Sequence, residues 1–325
     1  MKKILNIFVV SFALVFSSNL FANKIGVIYD SGGKFDKSFN ELAFRTAERV
    51  KNELGWDMIE FEAANNTQIE QGMRKVADRG ATLVVAMGFA QADAVAAIAP
   101  QYPDINFVAV DVCWVDDPAG NIYQACYLEH EGSFLVGVIA AMASKTGTIG
   151  FVGGMDIPLI RKFQGGYEQG ALHANPDIKI LANMTGTTPE AWNNPTKGAE
   201  LTKAQIDGGA DVVYLAAGGT GIGVLQAAAD AGIYGIGVDT NQNWMHPGSM
   251  LTSMLKRLDL TIFEQAEKTA AGTFEPGINI LGLAQGMVGY ATEDGMVTDE
   301  MAAAADAAAA GIIDGSISVA DWSQE

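Results

Sequence analysis

The chain has 325 residues, of which 49% are hydrophobic and 18% charged, and its formal net charge at pH 7 is −18. So acidic a surface argues against a nucleic-acid partner or an anionic membrane, because both are bound through basic patches. The length is sufficient for two domains of ordinary size.

Residues 1–22 have the pattern of a secretory signal peptide. Lys2 and Lys3 precede an apolar run at 4–16, and the small residue Ala22 marks the expected cleavage point. A transmembrane anchor is the alternative, but the apolar run is shorter than the roughly 20 residues that a span needs. No cysteine lies near Ala22 to accept a lipid. We therefore expect a free protein outside the cytoplasm.

The next segment predicts a buried strand at 25–29, followed by the loop DSGGKFDKSFN at 30–40 and a helix from 41. Strand-to-helix loops of this kind hold ligands in open α/β folds. The loop offers the carboxylate of Asp30, the ring of Phe39 and the amide of Asn40. The alternative is an ordinary turn in which Ser38 caps the helix and Phe39 packs inward.

The chain continues as an alternation of strands and helices. Predicted strands at 58–62, 82–87 and 106–110 alternate with helices at 69–79 and 90–99, and a helix at 132–144 follows. The alternation then resumes with strands at 148–152, 178–182, 211–216 and 235–238 and helices at 159–174, 196–207 and 221–231. Short links between such elements predict parallel sheets covered on both faces.

The two halves of this alternation are similar in sequence. KIGVIYD at 24–30 matches TIGFVGG at 148–154, and INFVAVD at 105–111 matches IYGIGVD at 233–239. Two similar doubly wound domains would leave a cleft between their strand ends, towards which Asp111 and Asp239 point. The remaining segment predicts strands at 250–255 and 278–284 and helices at 258–271 and 301–310, and we expect it to complete the first sheet and then cross back to the second.

The cysteines, the histidines and the known catalytic motifs indicate a disulfide but no metal site or enzyme activity. The two cysteines, Cys113 and Cys126, have a spacing that favours a disulfide in an oxidising compartment, with two buried free thiols as the alternative. The three histidines are scattered, which argues against a metal site. No nucleotide-binding glycine motif or nucleophile-elbow motif is present, so we expect neither catalysis nor a cofactor.

The predicted cleft loops instead collect groups suited to a neutral polar ligand. Ionised carboxylates accept hydroxyl hydrogen bonds, and aromatic rings stack on a flat base for about 1–3 kcal/mol each. Structural roles are the alternative: a loop anchor for Trp192, a solvated charge for Lys256 and a turn cap for Asp239. The candidate ligand-binding residues are Asp30, Phe39, Asn40, Gly88, Asp111, Trp192, Asn193, Gly218, Asp239, Asn241 and Lys256.

Several motifs together resemble the basic membrane protein family of substrate-binding proteins, which serves ABC importers and includes the purine-nucleoside receptors. The motifs are DSGG at 30–33, DKSFN at 36–40, EHEGSFLVG at 129–137, AAGGTGIGV at 216–224, GVDTNQN at 237–243 and LTSMLKR at 251–257. They cover nearly the whole mature chain in the family's order. The resemblance implies an α/β type I periplasmic-binding-protein fold that closes on a purine nucleoside and presents it to an inner-membrane ABC permease.

The resemblance also implies roles for individual residues. Phe39 and Trp192 would sandwich the purine, Asp30 and Asn40 would face the ligand, and Asp111 would contact the base. Asp239 and Lys256 would bind the ribose.

The repeat and the final segment predict domain bounds, and the resemblance implies a location. The N-terminal lobe would comprise 23–130 plus 257–284 and the C-terminal lobe 131–256 plus 285–325, joined by a hinge of several crossings. Many relatives read D-x-D-Q where this chain has DTNQ at 239–242, so one acid is missing. Many are lipoproteins, and the lack of a lipid-accepting cysteine here points to a free periplasmic receptor of a Gram-negative cell, which we expect to be a monomer.

Overall fold

A computed structural model describes residues 23–63 and 65–324. The predicted signal peptide at 1–22 lies outside these described residues. Within the described ranges, none of the helices combines the length and the apolar character needed to cross a membrane.

The described chain contains twelve strands and nine α-helices. The strands are β1 Lys24–Tyr29, β2 Asp57–Glu62, β3 Leu83–Met87, β4 Asn106–Val110, β5 Ile122–Tyr127, β6 Thr148–Met155, β7 Lys179–Gly186, β8 Val212–Ala216, β9 Tyr234–Gly237, β10 Met250–Lys256, β11 Gly277–Leu281 and β12 Val288–Tyr290. The helices are α1 Phe39–Leu54, α2 Ile69–Asp78, α3 Ala92–Ile98, α4 Glu129–Ala143, α5 Pro158–Ala174, α6 Pro195–Asp207, α7 Gly221–Asp230, α8 Leu258–Ala271 and α9 Asp299–Asp314.

The strands form two six-stranded sheets with equivalent order. The first sheet runs β11-β5-β4-β3-β1-β2 and the second runs β12-β10-β9-β8-β6-β7. The strand pairs in both sheets are parallel, except that β12 pairs with β10 in the antiparallel direction. The shared order confirms the internal duplication and the predicted fold class. We call the two units, each a sheet with its helices, the first and second lobes.

The described chain passes between the lobes at three points, after β5, after β10 and between β11 and β12. Helix α8 packs against α1 of the first lobe, whereas α4 and α9 pack in the second. The final segment therefore completes the first sheet and crosses back, as its pattern predicts. The sheet membership agrees with the lobe bounds inferred above, which stay a prediction.

The central strands carry the core. Strands β3 and β8 lie in the middle of their sheets and are buried along their whole length. This explains why their continuous apolar runs are legible in the sequence, since a strand covered on both faces does not alternate. Cys113, in the loop after β4, is joined by a disulfide to Cys126 of β5, with Cα atoms 5.7 Å apart.

Candidate functional site

A largely apolar cavity lies between the carboxyl ends of the two sheets. The first lobe lines it with Asp30, Gly32, Asp36, Phe39, Gly88, Phe89 and Asp111. The second lobe lines it with Leu159, Ile160, Phe163, Trp192, Ala216, Ala217, Gly218, Val238, Asp239 and Lys256. In parallel sheets the carboxyl strand ends share one edge, so loops distant in sequence converge there.

Asp30 is held at the exit of β1 by its own loop. Its Oδ1 accepts hydrogen bonds from the Gly32 amide at 2.8 Å and from Asn40 Nδ2 at 2.6 Å. Burial raises the pKa of the Asp30 carboxyl, and these hydrogen bonds oppose the rise. A Cβ built on Gly88 would lie 3.4 Å from Asp30 Oδ2, so Gly88 passes close to this carboxylate. Gly88 has a φ of 94°, which glycine adopts without strain.

Asp36, and not Ser38, caps the first helix. Its Oδ1 accepts from the backbone amides of Ser38 (2.9 Å) and Glu41 (3.1 Å), and its Oδ2 accepts from that of Asn40 (3.0 Å). Burial raises the pKa of Asp36 to about 7 against the pull of these amides. The Ser38 side chain makes no capping bond in α1. Its hydroxyl donates instead to Asp239 Oδ2 of the second lobe, at 2.5 Å.

A chain of buried charges crosses from one lobe to the other. Lys256 Nζ lies 2.5 Å from Asp111 Oδ1 and 2.9 Å from Glu129 Oε1, and Lys162 Nζ lies 2.6 Å from Glu129 Oε2. Asp111 directly follows β4, Glu129 begins α4 at the first crossing, and Lys256 ends β10 at the second crossing. The network therefore fixes the hinge segments next to the cavity.

The pKa values within this network reflect competition between burial and charge. Burial raises the pKa of Asp111 to about 6, although Lys256 opposes the rise. Burial works to raise the pKa of Glu129 as well, but the ammonium groups of Lys162 and Lys256 lower it to about 2. Burial would lower the pKa of Lys256, yet Asp111 and Glu129 raise it above its ordinary value. Lys256 is therefore a buried cation and not the solvated charge considered from the sequence.

Asp111 and Asp239 occupy equivalent backbone positions in the two lobes. Asp111 has a φ of 62° and Asp239 a φ of 66°. Left-handed conformations are uncommon outside glycine and are tolerated by aspartate. Each residue follows an equivalent strand, β4 or β9, so the repeat places one carboxylate from each lobe in the cavity wall. Burial raises the pKa of Asp239, with Lys256 opposing the rise.

Two aromatic rings enter the cavity wall from opposite lobes. Phe39 lies in the first turn of α1, and Lys256 Nζ is 5.3 Å from the centroid of its ring. Trp192 belongs to a short 3-10 turn that follows β7. A Cβ on Gly154 would fall 2.2 Å from Trp192 Cζ3, so the indole lies directly on the backbone of β6. Both rings line the same cavity.

Three predicted ligand contacts lie outside the lining of this cavity. Asn40 is fully buried behind Asp30, where its side chain bonds Asp30 and Asp36. Asn193 is exposed at the end of the Trp192 turn. Asn241 points away and donates to the carbonyl oxygen of Glu293 at 3.3 Å. Asn40 thus positions Asp30 in this structure, and ligand contacts by Asn40, Asn193 and Asn241 stay predictions.

Several cavity and network residues were not found by sequence reasoning. Leu159 and Phe163 lie on α5 at a spacing that is equally typical of a helix packed in a core. Glu129 could have been found from the sequence, because it begins the EHEGSFLVG motif. The helix was predicted to begin at 132, whereas α4 begins at Glu129, with acidic residues stabilising its first turn.

Comparison with known proteins identifies the family. Residues 22–322 match the Bmp family, described as ABC transporter substrate-binding protein PnrA-like. The chain belongs to this family. Basic membrane protein A2 of Borrelia garinii subsp. bavariensis is 34% identical over 285 residues, which cover 86% of this chain and 82% of the relative.

Two further proteins support the role of an ABC-transporter substrate-binding protein. The ABC transporter nucleoside-binding protein BmpA of Lactococcus lactis subsp. cremoris is 31% identical over 319 residues, covering 91% of this chain and 88% of the relative. A crystal structure of ABC transporter system solute-binding proteins from Aeropyrum pernix K1 superposes with a TM-score of 0.82 at 26% identity, over 92% of this chain and 93% of the other. The predicted family, the periplasmic-binding-protein fold and the role as an ABC-transporter substrate-binding protein are confirmed.

Proposed function

We propose that this Bmp-family protein captures a purine nucleoside between its two lobes for uptake by an ABC importer. The observation that carries the proposal is that Phe39 and Trp192, from different lobes, line one cavity together with the carboxylates of Asp111 and Asp239. Stacking rings suit the flat base, and carboxylates suit the hydroxyls of a sugar. The relative named as a nucleoside-binding protein gives the same ligand class.

The hydrogen bonds made within the protein suggest which atoms remain for the ligand. Asp239 Oδ2 accepts from Ser38, so Oδ1 is left to accept from ribose hydroxyls. Lys256 has three ammonium protons, two of which face Asp111 and Glu129, so one remains for a ligand oxygen. Asp30 Oδ2 makes no bond to Gly32 or Asn40, which both use Oδ1, and is placed to accept from a donor on the base.

The charge of the cavity favours an uncharged ligand. Among the described residues, its lining contains the four acids Asp30, Asp36, Asp111 and Asp239, and Lys256 as the sole basic side chain. The Lys256 charge is already balanced by Asp111 and Glu129. A phosphate would therefore meet carboxylates without an unpaired cation, so we expect nucleosides to be preferred over nucleotides.

We also infer the setting in which this receptor works. Residues 1–22 would be removed after Ala22, leaving a monomeric periplasmic protein without a lipid anchor. An inner-membrane ABC permease would be its protein partner. Intact-mass measurement of protein recovered from the periplasm checks the cleavage site and the lack of a lipid anchor. A chain starting at Asn23 without added acyl mass is expected.

Calorimetric titration of the mature chain tests the ligand class. Adenosine, guanosine, inosine, adenine and ribose are titrated separately, together with one nucleoside monophosphate. At least one nucleoside is expected to bind roughly tenfold or more tightly than adenine or ribose, because only a nucleoside reaches both the rings and the carboxylates. Equal or tighter binding of free ribose or free base would establish the alternative receptor for a sugar or base.

A nucleoside hydrolase is the remaining alternative, because a cleft with several carboxylates of raised pKa is also compatible with acid-base chemistry. Chromatography after prolonged incubation with inosine separates the two functions. A binding protein returns intact inosine, whereas release of hypoxanthine at a catalytic rate would establish an enzyme.

A further inference from the structure

Two loops from opposite lobes are hydrogen-bonded to each other beside the cavity. Ser38 Oγ donates to Asp239 Oδ2 at 2.5 Å and also lies 3.3 Å from the carbonyl oxygen of Val238. Gln242 Nε2 donates to the carbonyl oxygen of Lys37 at 2.9 Å. The side chains of Ser38, Asp239 and Gln242 are all buried. We call Ser38, Asp239, Gln242 and the Lys37 carbonyl the interlobe latch.

The first-lobe half of the latch is set by its own loop. Because Asp36 caps α1, the Ser38 hydroxyl is not needed by its helix and can reach the second lobe. Lys37 has a φ of 62°, a left-handed conformation that is costly for a residue with a side chain. In this conformation the Lys37 carbonyl oxygen points towards Gln242 and accepts its hydrogen bond.

The second-lobe half is set in the same way. Gln242 Oε1 accepts from the backbone N–H of Val238 at 2.8 Å. The backbone N–H of Gln242 donates to Ser253 Oγ at 3.0 Å. Ser253 Oγ in turn donates to Asn243 Oδ1 at 2.9 Å. Because its oxygen is bonded to the Val238 amide directly after β9, the Gln242 side chain has its NH2 group available to bond the other lobe. Gln242 is not among the residues that line the cavity.

We propose that Ser38 and Gln242 are positioning residues that hold the lobes closed and orient Asp239 towards the ligand. This inference rests on the proposed function, in which Asp239 binds the ligand. One oxygen of Asp239 serves the latch and the other serves the ligand, so closure and binding stabilise each other. Gln242 acts without touching the ligand.

Binding kinetics of two variants test the latch. Gln242→Glu keeps an acceptor for the Val238 amide but places a carboxylate oxygen against the Lys37 carbonyl. Ser38→Ala removes the donor to Asp239. Ser38→Ala loses a buried hydrogen bond to a charged group, and Gln242→Glu sets two acceptors against each other, so the dissociation rate constant of the tightest nucleoside should rise roughly tenfold or more in each variant. The association rate constant should change less, since the encounter surface is intact.

A matched control separates the latch from general loss of stability. Gln205→Glu makes the same change at a buried glutamine whose partners, Phe151 and Asn183, both lie in its own lobe. This control should leave dissociation near the wild-type rate. Unchanged dissociation in both latch variants, or an equal acceleration in the control, would overturn the proposal.

An interlobe distance measurement distinguishes failure of the latch from failure of the proposed function. Dyes are attached through cysteines placed at the exposed Lys51 of the first lobe and Lys203 of the second. Energy transfer should report a longer mean distance in Gln242→Glu and Ser38→Ala than in the wild type. If no nucleoside binds the wild type, the proposed function fails and the latch is judged on this distance alone. Equal distances in wild type and variants would then overturn it.

Discussion

Glu129 links the two lysines of the charge network at the hinge. It lies between Lys256 and Lys162, and its side chain is about 1% exposed. A buried ion pair adds little net stability over an apolar replacement, but removing one partner leaves an uncompensated charge. The network therefore matters most as a constraint on where Lys256 sits next to Asp111.

Glu129→Gln should be strongly destabilising. The neutral amide leaves the buried Lys256 and the partly buried Lys162 with less negative charge between them, so the free energy of unfolding should fall by about 3 kcal/mol. Urea denaturation monitored by circular dichroism measures this change. Glu53→Gln is the matched control, because its partner Arg49 is exposed and such pairs contribute under about 1 kcal/mol. Losses of similar size in the two variants would contradict a structural role for the network.

At the residue scale, the positions of carboxylates in the cavity wall were easier to predict from the sequence than those of amides. Asp111 and Asp239 were legible because each ends a continuous apolar run, and position at a strand end largely decides where a side chain goes. Asn40 and Asn241 sit in the same kinds of loop but turn to partners within the protein. Those partners depend on side-chain directions, which spacing does not encode. The same limit concealed the bond between Ser38 and Asp239.

At the element scale, the end of β6 determines where Trp192 lies. Gly153 and Gly154 lie near the end of this strand, and a Cβ on Gly154 would overlap the indole. Because Gly154 has no side chain, the Trp192 ring can pack directly against the backbone of β6.

Gly154→Ala should impair binding more than folding. The added Cβ, 2.2 Å from Trp192 Cζ3, forces the ring out of place, so the Kd for the nucleoside should rise roughly tenfold. Gly289→Ala in β12 is the control, because a Cβ there meets nothing within 4 Å. Calorimetry of both variants gives the comparison. An unchanged Kd for Gly154→Ala would mean that the position of the indole is unimportant.

The strands that sequence reasoning missed have identifiable causes. Strand β5, IYQACY, mixes polar and apolar residues, and its burial comes from neighbours on both sides, β4 and β11. Strand β12 has only three residues and is specified by its antiparallel pairing with β10. Both are fixed by tertiary pairing, whereas the long parallel strands were readable from apolar runs alone.

At the scale of the whole molecule, duplication explains the site. The repeat supplies an equivalent strand-end acid from each lobe, Asp111 and Asp239, and each lobe adds aromatic rings, so each half alone would form only part of a binding surface. The interlobe latch and the buried charge network join the halves around the cavity. The division into two sheets followed from the repeated sequence, but the contact between them could be learned only from the structure.

The central claim is that both lobes grip one ligand, and calorimetry of two aromatic variants tests it most directly. Phe39→Ala and Trp192→Ala should each raise the Kd of the tightest nucleoside roughly tenfold or more, because each removes one stacked ring. Phe35→Ala and Trp114→Ala, at aromatic residues that are each 61% exposed, are the matched controls and should bind as the wild type does. Wild-type affinity in either Phe39→Ala or Trp192→Ala would contradict the account.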